Sequence, residues 1–214
     1  MPPFLQSYIF SIRSEKPSCI FPQLCYIIVL KGVEIMKAID VANFFIDLYN
    51  SVPEGQITNL SLNKLLYFAQ GHSLAENGKQ LFDEPIEAWK YGPVVPSVYR
   101  TFKQASRKNI AKPCGNYSSD VFSEEDLDLL LDVFRKYQDY SASALLRMTH
   151  KEGTPWRQVF QEGENNVISQ ESLKRFFSYN RLPRISLAPI DVQEPKRNAD
   201  GYVILPPEWD DDED

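Results

Sequence analysis

Residues Leu60–Arg100 read LSLNKLLYFAQGHSLAENGKQLFDEPIEAWKYGPVVPSVYR, and the fold turns on how this stretch is arranged. Leu62, Leu65, Leu66, Ala69 and Ser73 recur at the i, i+3 and i+4 spacing that lines one face of an α-helix, leaving a polar opposite face. Asn59 or Ser61 can cap its start, and Asn77-Gly78 supplies the left-handed residue that closes a helix end. Ile86 and Ala88 then alternate with Glu87 and Trp89 over too short a run for a helix. That predicts a strand or extended arm with one buried face, ended by Gly92-Pro93. Val94 and Val95 lead into Pro96, whose fixed φ suits a first helical turn, and Val98, Phe102 and Ala105 continue a helical stripe. The predicted order is helix, extended arm carrying Trp89 and Tyr91, tight turn, helix.

These residues resemble a known family. The run Leu62-Asn-Lys-Leu-Leu-Tyr-Phe-Ala-Gln-Gly71, the following Leu81-Phe82, and above all Glu87-Ala-Trp-Lys-Tyr-Gly-Pro-Val-Val-Pro-Ser-Val-Tyr99 are similar to the Panacea domain. This is a SocA-like antitoxin domain of bacteria and their phages. The resemblance runs from about Met36 to Tyr179, through Ser141-Ala142, Thr149-His150 and Pro155-Trp156. It implies an antitoxin that neutralises a cognate protein toxin encoded nearby, by direct binding or as an adaptor delivering the toxin to a protease. It implies a cytoplasmic protein without a cofactor.

Outward from this block, the composition allows a real core, with 214 residues of which 43% are hydrophobic. The formal charge of −6 sits in the six carboxylates between Glu208 and Asp214, so everything before Glu208 sums to zero. A neutral body argues against nonspecific binding to nucleic acid, which draws on clustered Lys and Arg. Of the three cysteines, Cys19 and Cys25 lie near the start and Cys114 stands alone, which offers no disulfide framework or metal set and fits a reducing compartment.

Residues 1–35 read as an atypical leader. The apolar run Cys19–Leu30 contains Pro22 and Gln23 and falls short of the roughly 20 residues a membrane helix needs. Arg13 and Lys16 imitate a signal peptide's charged region, but no Ala-x-Ala cleavage pattern follows. Lys31-Gly32-Val33 can be encoded by codons containing AAGGAG, a bacterial ribosome-binding sequence, which makes Met36 the expected natural start.

From Ile39 the pattern becomes regular. Asp40 can cap a helix with Val41, Phe44, Phe45 and Leu48 inward, ended by Ser51-Val-Pro-Glu-Gly55. Lys103, Arg107, Lys108 and Lys112 form a small basic cluster, read as a solvated helix end in preference to a nucleic-acid contact. Ser123-Glu-Glu-Asp126 opens a helix carrying Leu127, Leu130, Leu131, Phe134 and Tyr137. Ser141 opens another that runs to about His150, Thr154-Pro155 a short one with Trp156, and Ser169 a last one with Leu173, Phe176 and Phe177 inward. Val167-Ile168 suggests a brief strand. Residues 181–214 form a Pro-rich and acidic tail that cannot be one helix, with Tyr202–Leu205 as its ordered candidate and a solubility role for its end. The expected fold is therefore mainly α, a single compact domain at 36–180 of about seven helices with a minor β-hairpin or strand element.

No catalytic constellation stands out. His72 and His150 are the only histidines, and there is no His-x-x-x-His, Cys-x-x-Cys, Gly-x-Ser-x-Gly or Gly-rich phosphate loop. A small hydrolase or nucleotide-modifying enzyme built on Glu84 or Glu87 remains an alternative, as does a DNA-binding regulator of a mobile element using a helix from Pro96 to Lys108. His72 is expected to be partly exposed or bonded to a neighbouring turn, and His150 to bond helix-terminal carbonyls. The candidate partner-binding residues are Trp89, Tyr91, Gly92, Pro93, Tyr99, His150 and Trp156. Aromatics with a polar tip serve both cores and binding hot spots. Trp89 and Trp156 read first as core, and Tyr91 as contact surface.

Overall fold

A computed structural model of the chain describes residues 36–115 and 117–182. They all lie in a unit that runs to Pro183, and a second unit, Arg184–Asp214, falls outside the described residues. The readings of residues 1–35, of Tyr202–Leu205 and of the acidic end lie outside them as well.

The element order is α1 (Ala38–Ser51), α2 (Asn59–Glu76), β1 (Glu87–Trp89), β2 (Gly92–Val94), α3 (Pro96–Thr101), α4 (Glu124–Tyr137), α5 (Ala142–His150), α6 (Pro155–Val159) and α7 (Gln170–Tyr179). Short 3-10 turns cover Lys103–Ala105 and Ser119–Val121. The described residues are a mainly α single domain of seven helices with one two-stranded antiparallel sheet.

Most helix starts follow the predicted caps. Ser123, Ser141, Thr154 and Ser169 each accept the N–H three residues on, and Pro155 and Pro96 sit in first turns. Two starts differ. The first helix begins at Ala38, because Asp40 occupies its third position and accepts the Lys37 N–H at 3.2 Å instead of capping outright. The open end is also held by Glu84, whose carboxylate accepts the Ala38 N–H at 3.0 and 3.1 Å, an anion at a helix N-terminus. The second helix is capped by Thr58, which accepts from the Ser61 N–H at 3.2 Å, so Asn59 and Ser61 lie inside it.

The polar face expected for α2 does not meet solvent. Every residue from Leu62 to Leu74 is buried, including Asn63, Lys64, Gln70, His72 and Ser73. α2 is the central rod, with α1, α4, α5 and α7 packed around it. A helix enclosed on all sides must find internal partners for its polar residues, since an unpaired buried polar group costs roughly 1–3 kcal/mol. Gln70 shows how: its Oε1 accepts the Leu81 N–H at 2.9 Å and its Nε2 donates to the Phe82 carbonyl at 2.9 Å, tying the following turn to the helix. His72 is fully buried, with Nε2 3.2 Å from the Tyr137 hydroxyl, which corrects the expectation of partial exposure. Beside it, Gly71 lets α7 approach, since a Cβ there would lie 2.2 Å from the Phe177 ring. Phe68 stacks on Tyr137 at 4.2 Å, so α4 and α7 share the same aromatic seam along α2.

The extended arm closes into a hairpin, pairing Glu87 with Val94, Ala88 with Pro93 and Trp89 with Gly92 around Lys90 and Tyr91. The expected strand at Val167-Ile168 is a bridge to β1, where Ile168 N–H donates to the Ile86 carbonyl and Ala88 N–H to the Asn166 carbonyl, both at 2.8 Å. The helix proposed from Pro96 to Lys108 stops at Thr101, and Ser106 takes a positive φ of 51° that interrupts it again. A continuous DNA-reading helix over those residues is therefore not present.

Candidate functional site

The hairpin is held from beneath by α2. Asn63 is the hub: its Oδ1 accepts the Val95 N–H at 2.9 Å, while its Nδ2 donates to the Asn59 carbonyl and Oδ1, each at 2.9 Å. Asn59 passes the chain on by donating to the Tyr99 carbonyl at 3.0 Å. The residue after Asn63, Lys64, runs under β2 and donates from Nζ to the Pro93 carbonyl at 3.0 Å. Its side chain is wholly buried, and desolvation pushes its amine down to about 7 from an ordinary 10.5. Gly92 makes that approach possible. Its φ is +92°, and a Cβ there would lie 2.6 Å from Lys64 Cε and 2.9 Å from both Lys64 Nζ and Thr149 Oγ1.

From the other side, α5 and α6 hold β1. Trp156 is buried and donates from Nε1 to the Trp89 carbonyl at 2.9 Å. His150 packs on the Trp156 ring with centroids 3.8 Å apart, and its Nδ1 lies 2.8 Å from the Leu146 carbonyl, in keeping with the helix-end role expected of it. Its Nε2 lies 3.3 Å from the Lys90 carbonyl. Thr154 links the two helices by donating to the Thr149 carbonyl at 2.7 Å.

The sequence-predicted set thus converges on one hairpin, in three different roles. Gly92, Pro93 and Trp156 are buried supports, and His150 is a partly buried one. Trp89 and Tyr99 are half-buried, in edge contact at 5.0 Å, with Trp89 Nε1 donating to Glu87 Oε2 at 2.7 Å. Trp89 is thus a wall more than a core residue. Tyr91 alone projects, with 64% of its surface exposed.

Beside Tyr91 lies a cavity of about 520 Å³ whose lining includes Asn63, Lys64, Trp89, Tyr99, Lys103 and Arg107. Lys103 and Arg107, read from the sequence as a solvated helix end, here form a rim. Lys64, Asn59 and Asn63 escaped that reading because a lysine and two asparagines in an amphipathic helix look solvated. The available signal was that Tyr67, Phe68 and Leu74 lie off the Leu62-Leu65-Leu66 stripe, so more than one face of α2 is apolar and the helix is enclosed. Among the described residues, no group of three or more His, Cys, Asp or Glu is placed to hold a metal ion. Glu84 and Glu87, the carboxylates considered for catalysis, are bonded to the α1 terminus and to Trp89. Nor is any helix among the described residues long and apolar enough to cross a membrane.

The described residues are thus a small α domain whose helices grip a hairpin with Tyr91 at its tip. Residues 62–157 match the family described as Antitoxin SocA-like, Panacea domain. The matched segment starts in α2 and ends just past Trp156, and so contains the hairpin with Asn63, Lys64, His150, Thr154 and Trp156, while Asn59 and Asn166 lie outside it. The chain is also 34% identical over 125 residues to Antitoxin SocA of Caulobacter vibrioides (strain NA1000 / CB15N), an alignment covering 54% of this chain and 66% of that protein, just under two thirds of its length. No solved structure matches the chain.

Proposed function

We propose that this protein is the antitoxin of a toxin–antitoxin pair and acts in the cytoplasm by binding a protein toxin encoded beside it. The observation that carries the reading is Tyr91. It is a large exposed aromatic at the tip of a hairpin whose backbone is fastened by Lys64, Asn63 and Trp156. A rigid, amphipathic anchor loses little conformational entropy on binding, which is how aromatic hot spots reach high affinity. The Panacea match and the similarity to Antitoxin SocA of Caulobacter vibrioides support the same role.

Neutralisation is non-enzymatic on this reading and proceeds by stoichiometric capture of the toxin, either sufficient in itself or as the step that hands the toxin to a protease. Co-expression of the full chain with the product of the adjacent open reading frame tests it through growth and a pull-down. Rescue with a stable complex supports capture. Rescue with a complex that forms only when the host protease is disabled supports delivery. Absence of both rescue and complex overturns the reading.

A further inference from the structure

The cavity next to Tyr91 has a charge pattern that the hairpin's architecture does not require. Four basic side chains line it, Lys64, Lys90, Lys103 and Arg107, and no carboxylate does. Lys90 is answered by Glu162 at 3.8 Å on the open surface. Lys103 and Arg107 are exposed and form no ion pair among the described residues. Lys64 is wholly buried beneath the floor and bonded to the Pro93 carbonyl, so the accessible unpaired charges are those of the rim.

A second hollow of about 620 Å³ shares Leu60, Tyr91, Ser106 and Arg107 with the first and adds Arg147, again without a carboxylate in its lining. The two together make a groove that passes beneath Tyr91 and is basic along its length. Its walls are not uniformly polar, since Leu60, Val94, Trp89 and Tyr99 face the same space. In a body whose formal charge outside the last residues sums to zero, this is a local concentration of one sign. Single-stranded nucleic acid also favours basic, aromatic grooves, but it needs a row of surface cations to track successive phosphates. Here the exposed cations unpaired among the described residues are Lys103, Arg107 and Arg147 beside apolar walls, too few for such a row, which suits a short acidic peptide.

We infer that the groove receives an acidic segment of a partner polypeptide, whose carboxylates meet Lys103, Arg107 and Arg147 while an apolar or aromatic residue of it packs on Trp89 and Tyr99. This deepens the partner-binding reading above and rests on it for the identity of the partner, though not for the chemistry of the site.

The test uses the full chain and two fluorescent probes, a Glu/Tyr random copolymer and an oligothymidylate. The variants are the surface pair Lys103→Glu with Arg107→Glu and, in the second hollow, Arg147→Glu. Lys174→Glu with Arg175→Glu on the exposed face of α7 is the charge control. Circular dichroism checks the fold of each. The copolymer is expected to bind in a salt-sensitive manner, to weaken about tenfold or more in the rim pair and severalfold in Arg147→Glu, and to be unaffected by the control pair. No copolymer binding, equal loss in the control, or tighter binding of the oligothymidylate overturns the inference.

The same variants are then carried into the toxin co-expression. A toxin complex that survives both groove variants overturns the assignment of the groove to that partner while leaving the antitoxin role intact. Groove-dependent copolymer binding without any toxin complex removes the antitoxin role and leaves the groove's chemistry standing.

Discussion

Lys64 donates from Nζ to the carbonyl of Pro93 at 3.0 Å, so a lysine in the middle of the central helix fixes the height of the hairpin that carries Tyr91. The contact exists only because residue 92 has no side chain, and the amine has lost its water in making it. Both halves of that relationship can be probed.

Gly92→Ala is expected to lower stability by about 2 kcal/mol or more, since it combines a disfavoured positive φ with collisions against Lys64 and Thr149. Denaturant midpoints measure it. A change too small to detect would mean that the hairpin relaxes freely and is not the rigid support described here.

Lys64→Met tests the buried charge through pH. Burial lowers the folded-state pKa to about 7 from 10.5, so below pH 7 both states hold the proton and the folded chain carries the full cost. Between about pH 7 and 10.5 the unfolded chain retains a proton that the folded chain has released, so stability rises with pH by up to about 1.4 kcal/mol per unit. Methionine abolishes this term. The variant should gain on the wild type near pH 6 and lose that advantage towards about pH 9.5, short of the range where tyrosines ionise in the unfolded chain. Parallel pH profiles would show that Lys64 is solvated.

Tyr91→Ala separates binding from folding. With 64% of the residue's surface exposed, its removal should change stability by about 0.5 kcal/mol or less while weakening partner capture by roughly thirtyfold. Trp156→Phe should behave in the opposite order, losing about 1 kcal/mol of stability with the bond to the Trp89 carbonyl. Equal effects of the two changes on capture and stability would remove Tyr91 from the contact surface.

His72 sets the acid side of the stability curve. Desolvation, helped by the positive charge of Lys136, lowers its pKa to about 3 from 6.5, so the ring is neutral and its 3.8 Å separation from Glu76 is not an ion pair. As pH falls from about 6.5 towards 3 the unfolded chain binds a proton that the folded chain refuses, and stability is lost by up to about 1.4 kcal/mol per unit. His72→Gln should flatten that decline when compared with the wild type by thermal melts. An unchanged acid limb would indicate that the imidazole reaches water.

Much of this architecture is local in origin and therefore legible along the chain. Ser123, Ser141, Thr154-Pro155 and Ser169 announce helix starts because a cap is a bond between near neighbours. Gly92-Pro93 marks the hairpin because only a few residues accept its backbone angles. The seven helices, the hairpin and its convergent residues Trp89, Tyr91, Tyr99, His150 and Trp156 follow from such signals and from the family motif they compose.

What tertiary structure alone decided is which polar residues face inward. Lys64, Asn63, Gln70 and His72 look like a solvated face, and they become interior bonds because α1, α4, α5 and α7 surround α2 on all sides. Asn63 meets Val95 across 32 positions, and His72 meets Tyr137 across 65. No local periodicity encodes partners so distant. The rim cations Lys103 and Arg107 likewise acquire a role only when the break after Thr101 turns them towards the cavity that Lys64 floors. Burial of a charge is a property of what surrounds it, and what surrounds it is settled by packing.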